Sequence, residues 1–372
     1  MSIKLLEKSV YNKISAGEVV EKPASIVKEL LENSIDAGAK NITIEIVDGG
    51  IKSIKVADDG CGIRQEEVKL AFMPHATSKL EKIEDVYNLN TMGFRGEALA
   101  SISAVSNVEI ITKTQDEDLA VKVRLDAGEE QEREEFAANT GTTITVSNLF
   151  FNTPARAKFL RKPKTEENDI TNYVQKLILS HSNINFKYYV DGKLMYNTKD
   201  LDIEKIVYMI YGKEVYESLL KVDYKISGYS VTGFISKPNY FKSNRTYQSF
   251  YVNGRYCQNI LVSTAVQNAY ENFLMKGKFP FYILFLEMPK NSVDVNVHPN
   301  KLEVKFENTN LIYSVFNNAI YETLTNFSQI KRIDDYSEKQ EEAKSFDKSY
   351  SFSFNQPQNV LKQYSTTDTI NN

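Results

Sequence analysis

Residues 28–39 read KELLENSIDAGA. Wound into a helix at about 100° per residue, Lys28, Glu29, Glu32, Asn33 and Asp36 occupy one half of the circumference, and Ile26, Val27, Leu30, Leu31 and Ile35 the other. A strip of carboxylates and an amide can offer oxygen to a cation or simply face water, and the solvated face is the commoner use. Two spacings count against it here. Glu29 has Asn33, not a cation, one turn on; Glu32 has Asp36, a like-charge pair that costs roughly a few tenths of a kcal/mol and that a bound cation would relieve.

A second candidate is DDGCGI at residues 58–63. Asp58 ends an alternating run, and Gly60 and Gly62 let the backbone turn sharply against something flat or charged, although turn chemistry alone also explains an Asp-Gly cluster. The third is TMGFRGEALASIS, in which Gly93 and Gly96 precede a helical run. A glycine-rich helix start offers unpaired N–H groups and a favourable dipole to a phosphate. A P-loop is excluded, because GxxxxGK[ST] does not occur. The acid-amide helix, the DxGxG strand end, the segment HATSK and the glycine-led helix start follow one another in order, and together they are the parts of a nucleotide site.

These residues need elements to hold them. Pro23 suits a first helical turn and Gly38 a left-handed terminator, so the first helix spans about 23–37. NITIEIVDGGIKSIKVADDGCGI alternates on both sides of Asp48-Gly49-Gly50 and predicts a hairpin, and SNVEIITKT, LAVKVRLDAG and GTTITVSNLF predict further strands. The first half is therefore a mixed, mainly antiparallel sheet covered by helices. Near residue 200 the pattern resets. YSVTGFISK, SFYVNGRYCQN and PFYILFLEMPKNSVDVNVHP predict strands, with helices near 260–276 and 310–327. From about residue 331 the chain turns charged and then rich in Ser, Gln, Asn and Thr, the composition of a linker or tail.

The 372 residues suffice for two or three domains, and 42% apolar content for ordinary cores. No run of about eighteen apolar residues occurs and the start lacks a secretory signal, so the expected location is cytoplasmic. Two cysteines, Cys61 and Cys257, cannot build a disulfide framework, and three histidines leave little scope for zinc. The net charge of −4 argues against blanket attraction to nucleic acid but leaves room for a local basic groove.

KELLENSIDAGA, DDGCGI, HATSK, GFRGEALASIS and GTTITVSNLFFNTPARAKFL resemble the motifs of the MutL family of DNA mismatch repair GHKL ATPases, and ISAGEVVEKPAS and DVNVHPNKLEVKF extend the likeness over about residues 1–330. The resemblance implies an α+β chain: a GHKL-type ATPase domain over 1–200, a smaller α/β, ribosomal-protein-like domain over 201–330, and a flexible linker over 331–372. It implies ATP and Mg²⁺ as ligands, with Glu29 as general base, Asn33 on the metal, and Asp58 on the adenine amino group beside Gly60 and Gly62, supported by Thr143. It places a lid over residues 75–98, with Thr77, Ser78 and Lys79 near the triphosphate. Gly93, Phe94, Arg95, Gly96, Glu97 and Ala98, followed by Leu99, lie along the phosphates, and Lys301 reaches the γ-phosphate from the second domain. His75 and His298 are read as positioning residues and His181 as structural.

The same resemblance implies slow hydrolysis acting as a clock and ATP-driven homodimerisation. It also implies an N-terminal arm that orders across the partner subunit, although Ile3, Leu5, Leu6 and Val10 equally permit docking on the same subunit. A mismatch sensor and a downstream nuclease or helicase would be partners, and DNA would be held without sequence reading by RAKFLRKPK (156–164) with Arg255. The chain departs from many relatives at Met73-Pro74, where arginine is expected, and at Gln258-Asn259-Ile260, which lacks a further basic residue. Another GHKL member, such as a topoisomerase subunit, chaperone or histidine kinase, would carry a different lid. A non-catalytic scaffold is the remaining reading, and Glu29 and Asn33 count against it.

Overall fold

Alternation of apolar and polar residues builds the first layer. In the computed structural model, which describes residues 16–17, 19–77, 96–289, 292–294 and 304–346, Ile42, Ile44 and Ile46 of β1 (Asn41–Val47) and Ile54 and Val56 of β2 (Ser53–Asp58) are buried, and the residues between them are not. The turn between the strands is Asp48–Gly50, where Gly49 and Gly50 have φ of 65° and 78°. A Cβ on Gly49 would sit 2.2 Å from the Pro163 carbonyl, so glycine there lets a later helix start close against the turn.

Eight strands form this sheet, in the order β5-β4-β3-β6-β2-β1-β7-β8. β3 (Asn107–Lys113), β4 (Ala120–Asp126), β5 (Glu129–Phe136) and β6 (Gly141–Ser147) pair antiparallel, as do β7 (Asn185–Val190) and β8 (Lys193–Asn197). Within this sheet β1 and β7 pair parallel. Helices α1 (Pro23–Asp36), α2 (Val68–Ala71), α3 (Ala98–Ala104) and α5 (Pro163–Ser180) bury residues in the cluster that the inward strand residues form, and the short α4 (Pro154–Ala157) precedes α5. Ile26, Val27, Leu30 and Leu31 of α1 and Ile170, Val174, Leu177 and Ile178 of α5 pack with the inward strand residues in one cluster. The expected first helix is present, and Gly38 follows it with φ of 75°.

That cluster does not stop at the first sheet. It continues through Ile206 and Val207 of α6 (Ile203–Glu217) to Phe234, Tyr251 and Ile283 on a second sheet and to Phe281 just before its last strand. The second sheet has the order β13-β12-β15-β10-β9, with β9 (Leu219–Ile226), β10 (Tyr229–Ser236), β12 (Gln248–Val252), β13 (Arg255–Cys257) and β15 (Tyr282–Glu287). Two short pairs accompany it, β11 (Phe241–Lys242) with β14 (Phe279–Pro280) and β16 (Val293–Asp294) with β17 (Lys305–Phe306). Its other face, including Phe250, Val252, Leu284 and Leu286, packs on α7 (Ile260–Ala269) and α8 (Thr309–Phe346).

Of the stretch expected as a linker or tail, residues 331–346 are helical, because α8 runs without a break to Phe346, and 347–372 lie outside the described residues. Residues 331–346 are rich in Lys, Arg, Glu and Gln, which favour helix, and extending a helix whose first turns are packed requires no new nucleus. Among the described residues no helix is long and apolar enough to cross a membrane.

Ile178 is fully buried between α5 and the sheet, whereas Leu194 on edge strand β8 is 46% exposed. Ile178→Ala is expected to lower unfolding free energy by about 2–5 kcal/mol and Leu194→Ala by less than about 0.5 kcal/mol, measured by equilibrium denaturation.

Candidate active site

The polar half of α1 does not face bulk water. Lys28, Glu29, Asn33 and Asp36 line a cleft of about 1310 Å³, while Leu30 and Leu31 anchor the helix beneath. Glu32 departs from the expected strip: it is 7% exposed, with Oε1 3.9 Å from Lys28 Nζ and accepting from the Tyr173 hydroxyl at 3.3 Å. Lys28 and Tyr173 thus supply the relief that the like-charge spacing of Glu32 and Asp36 called for. Burial, followed by the charges of Glu32 and Glu29, pushes the Tyr173 hydroxyl well above its ordinary range, so it remains a donor at neutral pH.

Asp58, at the end of β2, lines the same cleft. Its Oδ2 accepts from Ser34 Oγ at 2.7 Å and its Oδ1 from the Gly60 N–H at 2.9 Å. Burial raises the Asp58 pKa against the lowering effect of Ser34, Gly60 and Thr142. Asp59 serves the fold instead. Burial raises its pKa, but donors from Asn41 and Lys40 outweigh burial and hold it below the usual carboxylate range, tying the α1–β1 corner to the loop.

The two glycines of DxGxG act differently from each other. Gly60 does not line the cleft; a Cβ there would press on Ala37 at 2.8 Å, so its absence lets the loop pass under the end of α1. Gly62 lines the cleft, has φ of 73°, and would carry a Cβ 2.1 Å from the Lys113 carbonyl. The threonine that faces the cleft is Thr142, and Thr143 does not: successive strand residues point to opposite faces, so the expected residue is one place out of register. Thr142 Oγ1 lies 3.1 Å from Thr112 Oγ1, which accepts from the Ile63 N–H at 2.9 Å and so steadies the loop.

At the far wall the structure brings Ala76 and Thr77 together with Gly96, Glu97, Ala98 and Leu99. Gly96 has φ of 61°, and a Cβ would meet the Ala76 carbonyl at 2.4 Å. His75 Nδ1 lies 3.1 Å from Glu97 Oε1, a positioning contact across the two ends of the expected lid. Ser78, Lys79, Gly93, Phe94, Arg95, His298 and Lys301 lie outside the described residues, as do residues 1–15 of the N-terminal arm expected over about the first twenty. His181 is half-buried just past the end of α5, with Nδ1 2.7 Å from Ser180 Oγ, and desolvation lowers its pKa.

A fourth wall was missed in the sequence. Asp169, Asn172, Tyr173 and Lys176 of α5 line the cleft, and Tyr256 and Gln258 close it from the second sheet. The signal was present, because 169, 172, 173 and 176 follow i, i+3, i+4, i+7 opposite the apolar stripe Ile170, Val174, Leu177 and Ile178. The basic run 156–164 is also less open than expected. Arg161 is paired with buried Glu166 at 2.9 Å and with Asp169 at 2.7 Å, and Lys164 with Glu167 at 2.6 Å, while Lys158 and Lys162 are exposed. Arg156 lies against Gly17.

Gly62→Ala combines positive φ with a backbone clash and is expected to destabilise by roughly 2 kcal/mol or more. Gly192→Ala, with φ of 77° but nothing within 4 Å of the added Cβ, is expected to cost only about 1–2 kcal/mol. Denaturation of the two variants in parallel measures the difference.

Two family models match the chain in order: histidine kinase-, DNA gyrase B- and HSP90-like ATPase over residues 21–151, and DNA mismatch repair protein, C-terminal domain, over residues 207–325. The DNA mismatch repair protein MutL of Agathobacter rectalis is 43% identical over 333 residues, 89% of this chain and 51% of that protein. That of Thermoanaerobacter pseudethanolicus is 45% identical over 332 residues, 89% of this chain and 54% of that protein. The chain therefore spans about half the length of these curated relatives. A crystal structure of the N-terminal domain of a DNA repair protein superposes with a TM-score of 0.73 at 27% identity, covering 86% of this chain and 98% of that one. The Aquifex aeolicus MutL ATPase domain complexed with ADP shares the fold, with a TM-score of 0.57 at 24% identity, covering 80% of this chain and 98% of that one. With a GHKL ATPase fold, two matched domains in order and 43–45% identity over nearly nine-tenths of its length, the chain belongs to the MutL family of DNA mismatch repair proteins.

Proposed function

We propose that this chain binds and slowly hydrolyses ATP, and that nucleotide state times its contacts in DNA mismatch repair. The observation that carries the reading is the convergence of Glu29, Asn33 and Asp58 on one cleft whose far wall is the glycine-led start of α3. Asp58 lies deep enough for burial to raise its pKa, yet each carboxylate oxygen spends only part of its accepting capacity on Ser34 and Gly60. An acceptor of that kind suits an exocyclic amino group and opposes an oxo group, which selects adenine over guanine. The N–H groups from Gly96 to Leu99 and the dipole of α3 meet negative charge at the other wall.

Glu29 acts as general base, orienting a water toward the terminal phosphate, a task for which a half-buried carboxylate on a packed helix is well placed. The donor set fits Mg²⁺. Among the described residues no cluster of three or more His, Cys, Asp or Glu could hold a metal, and Mg²⁺ takes few protein ligands while keeping waters and phosphate oxygens. Asn33 would hold it, and the ion when bound would neutralise phosphate charge. Lys301 as a γ-phosphate contact and Ser78, Lys79, Gly93, Phe94 and Arg95 as lid residues belong to the same proposal, all of them outside the described residues. Binding favours a homodimer, and DNA is held without sequence reading by a groove that includes exposed Lys158 and Lys162. A mismatch sensor and a downstream nuclease or helicase are the protein partners.

Glu29→Ala is expected to lower ATP turnover by about 100-fold or more while nucleotide affinity stays within about threefold, read by phosphate release and by titration with a non-hydrolysable analogue. Unchanged turnover would refute the assignment. For Asp58→Asn the sign of the stability effect follows from its raised pKa. A carboxyl of raised folded pKa adds stability below its unfolded pKa and loses it as pH rises through the folded value, a loss the uncharged amide does not undergo. The variant is expected to keep or raise the thermal midpoint while ATP affinity falls at least about tenfold.

A further inference from the structure

The cleft joins two sheets through one contact of unusual composition. Lys176 Nζ of α5 donates to the Tyr256 hydroxyl of β13 at 2.9 Å and sits 4.0 Å from the centre of the same ring. Gln258 Nε2 donates to that hydroxyl at 3.3 Å. The ring itself is held edge-on by buried Tyr251, 5.7 Å between centres, and Tyr251 stacks on Phe285 at 4.9 Å. Tyr256 is therefore fixed on the second sheet and grips α5 through one cation.

Toward the first sheet, Lys176 lies one helical turn from Tyr173 on the cleft-facing stripe. Tyr173 donates to Glu32 of α1, and Glu32 lies one turn from Glu29. The links form a continuous chain from the second sheet to the carboxylate read above as the base: Tyr256, Lys176, Tyr173, Glu32, Glu29. Each step is a hydrogen bond or one turn of a packed helix. We propose that Tyr256 and Lys176 form a latch by which the second sheet sets the position of Glu29, so that both are positioning residues for hydrolysis. This rests on the ATPase reading of the same cleft. It differs from the γ-phosphate contact expected of Lys301, because the latch acts on the protein side of the reaction.

The test is a double-mutant cycle on the full 372-residue chain with Tyr256→Phe, which keeps the ring and removes the hydroxyl, Lys176→Met, and the pair. Each single variant is expected to lower kcat about threefold to tenfold with KM within about twofold, and the pair is expected to be no slower than the slower single within about twofold. Lys176→Arg, which keeps the cation over the ring, is expected to retain at least about half of the wild-type kcat. Singles with unchanged kcat, effects that multiply in the pair, or losses confined to KM overturn the latch. A wild-type chain that turns over no ATP refutes the ATPase reading instead. The same cycle followed by equilibrium unfolding then decides the latch, with non-additive destabilisation supporting it and additive effects overturning it.

Discussion

The site depends on the clamping of α1 against the end of β2. The helix buries Ile26, Val27, Leu30 and Leu31 against the sheet, which leaves its rotation little freedom, and the Ser34 to Asp58 hydrogen bond fixes its height along the strand. Ser34 sits between the apolar and acidic halves of the helix, so one short contact aligns Glu29 and Asn33 with the strand end that carries Asp58. Loss of that register would leave each side chain present and the constellation absent. The glycines nearby serve the same end, since Gly60 lets the loop pass beneath Ala37 and Gly141 lets β6 start against the Asp58 carbonyl.

A cleft that gathers carboxylates must deal with their repulsion before any ligand arrives. Here the work is divided. Glu32 is withdrawn into the wall, where Lys28 and Tyr173 meet it; Asp169 is held by Lys22 and Arg161; and Asp59 is consumed by backbone donors. Glu29, Asn33, Asp36 and Asp58 line the cavity beside these engaged groups. The pairing of Arg161 within this network also explains why a run of basic residues is a poor guide to a nucleic-acid surface: a cation within reach of a buried carboxylate is engaged before any phosphate arrives.

The second sheet is continuous with the first through a shared apolar cluster, and it sends Tyr256 and Gln258 into the cleft wall. The second sheet and α1 are joined through α5, by Lys176 to Tyr256 on one side and Tyr173 to Glu32 on the other. The interface is apolar through Ile206, Val207, Phe281 and Ile283 and polar where Lys176 meets Tyr256 at the cleft. That arrangement suits a joint that holds its geometry and yields at the edge.

Much of this was legible in the residues alone. Periodicity located α1, the hairpin turn required glycine at residues 49 and 50, and Asp58 and Gly62 were marked by their place at a strand end. These are local matters, decided by spacing within one element. The family resemblance supplied roles that spacing cannot. The remainder required tertiary structure, and for physical reasons. Thr142 rather than Thr143 faces the cleft because pleat register is set by pairing with β2 and β3, not by the threonines themselves. β5, EEQEREEF, carries no apolar alternation and is a strand only because β4 offers it an edge. The α5 stripe and Tyr256 lie more than a hundred residues from α1, and only the packing of two sheets on one cluster brings them to the same wall. A sequence records what each element prefers; which faces meet is decided by the burial they share.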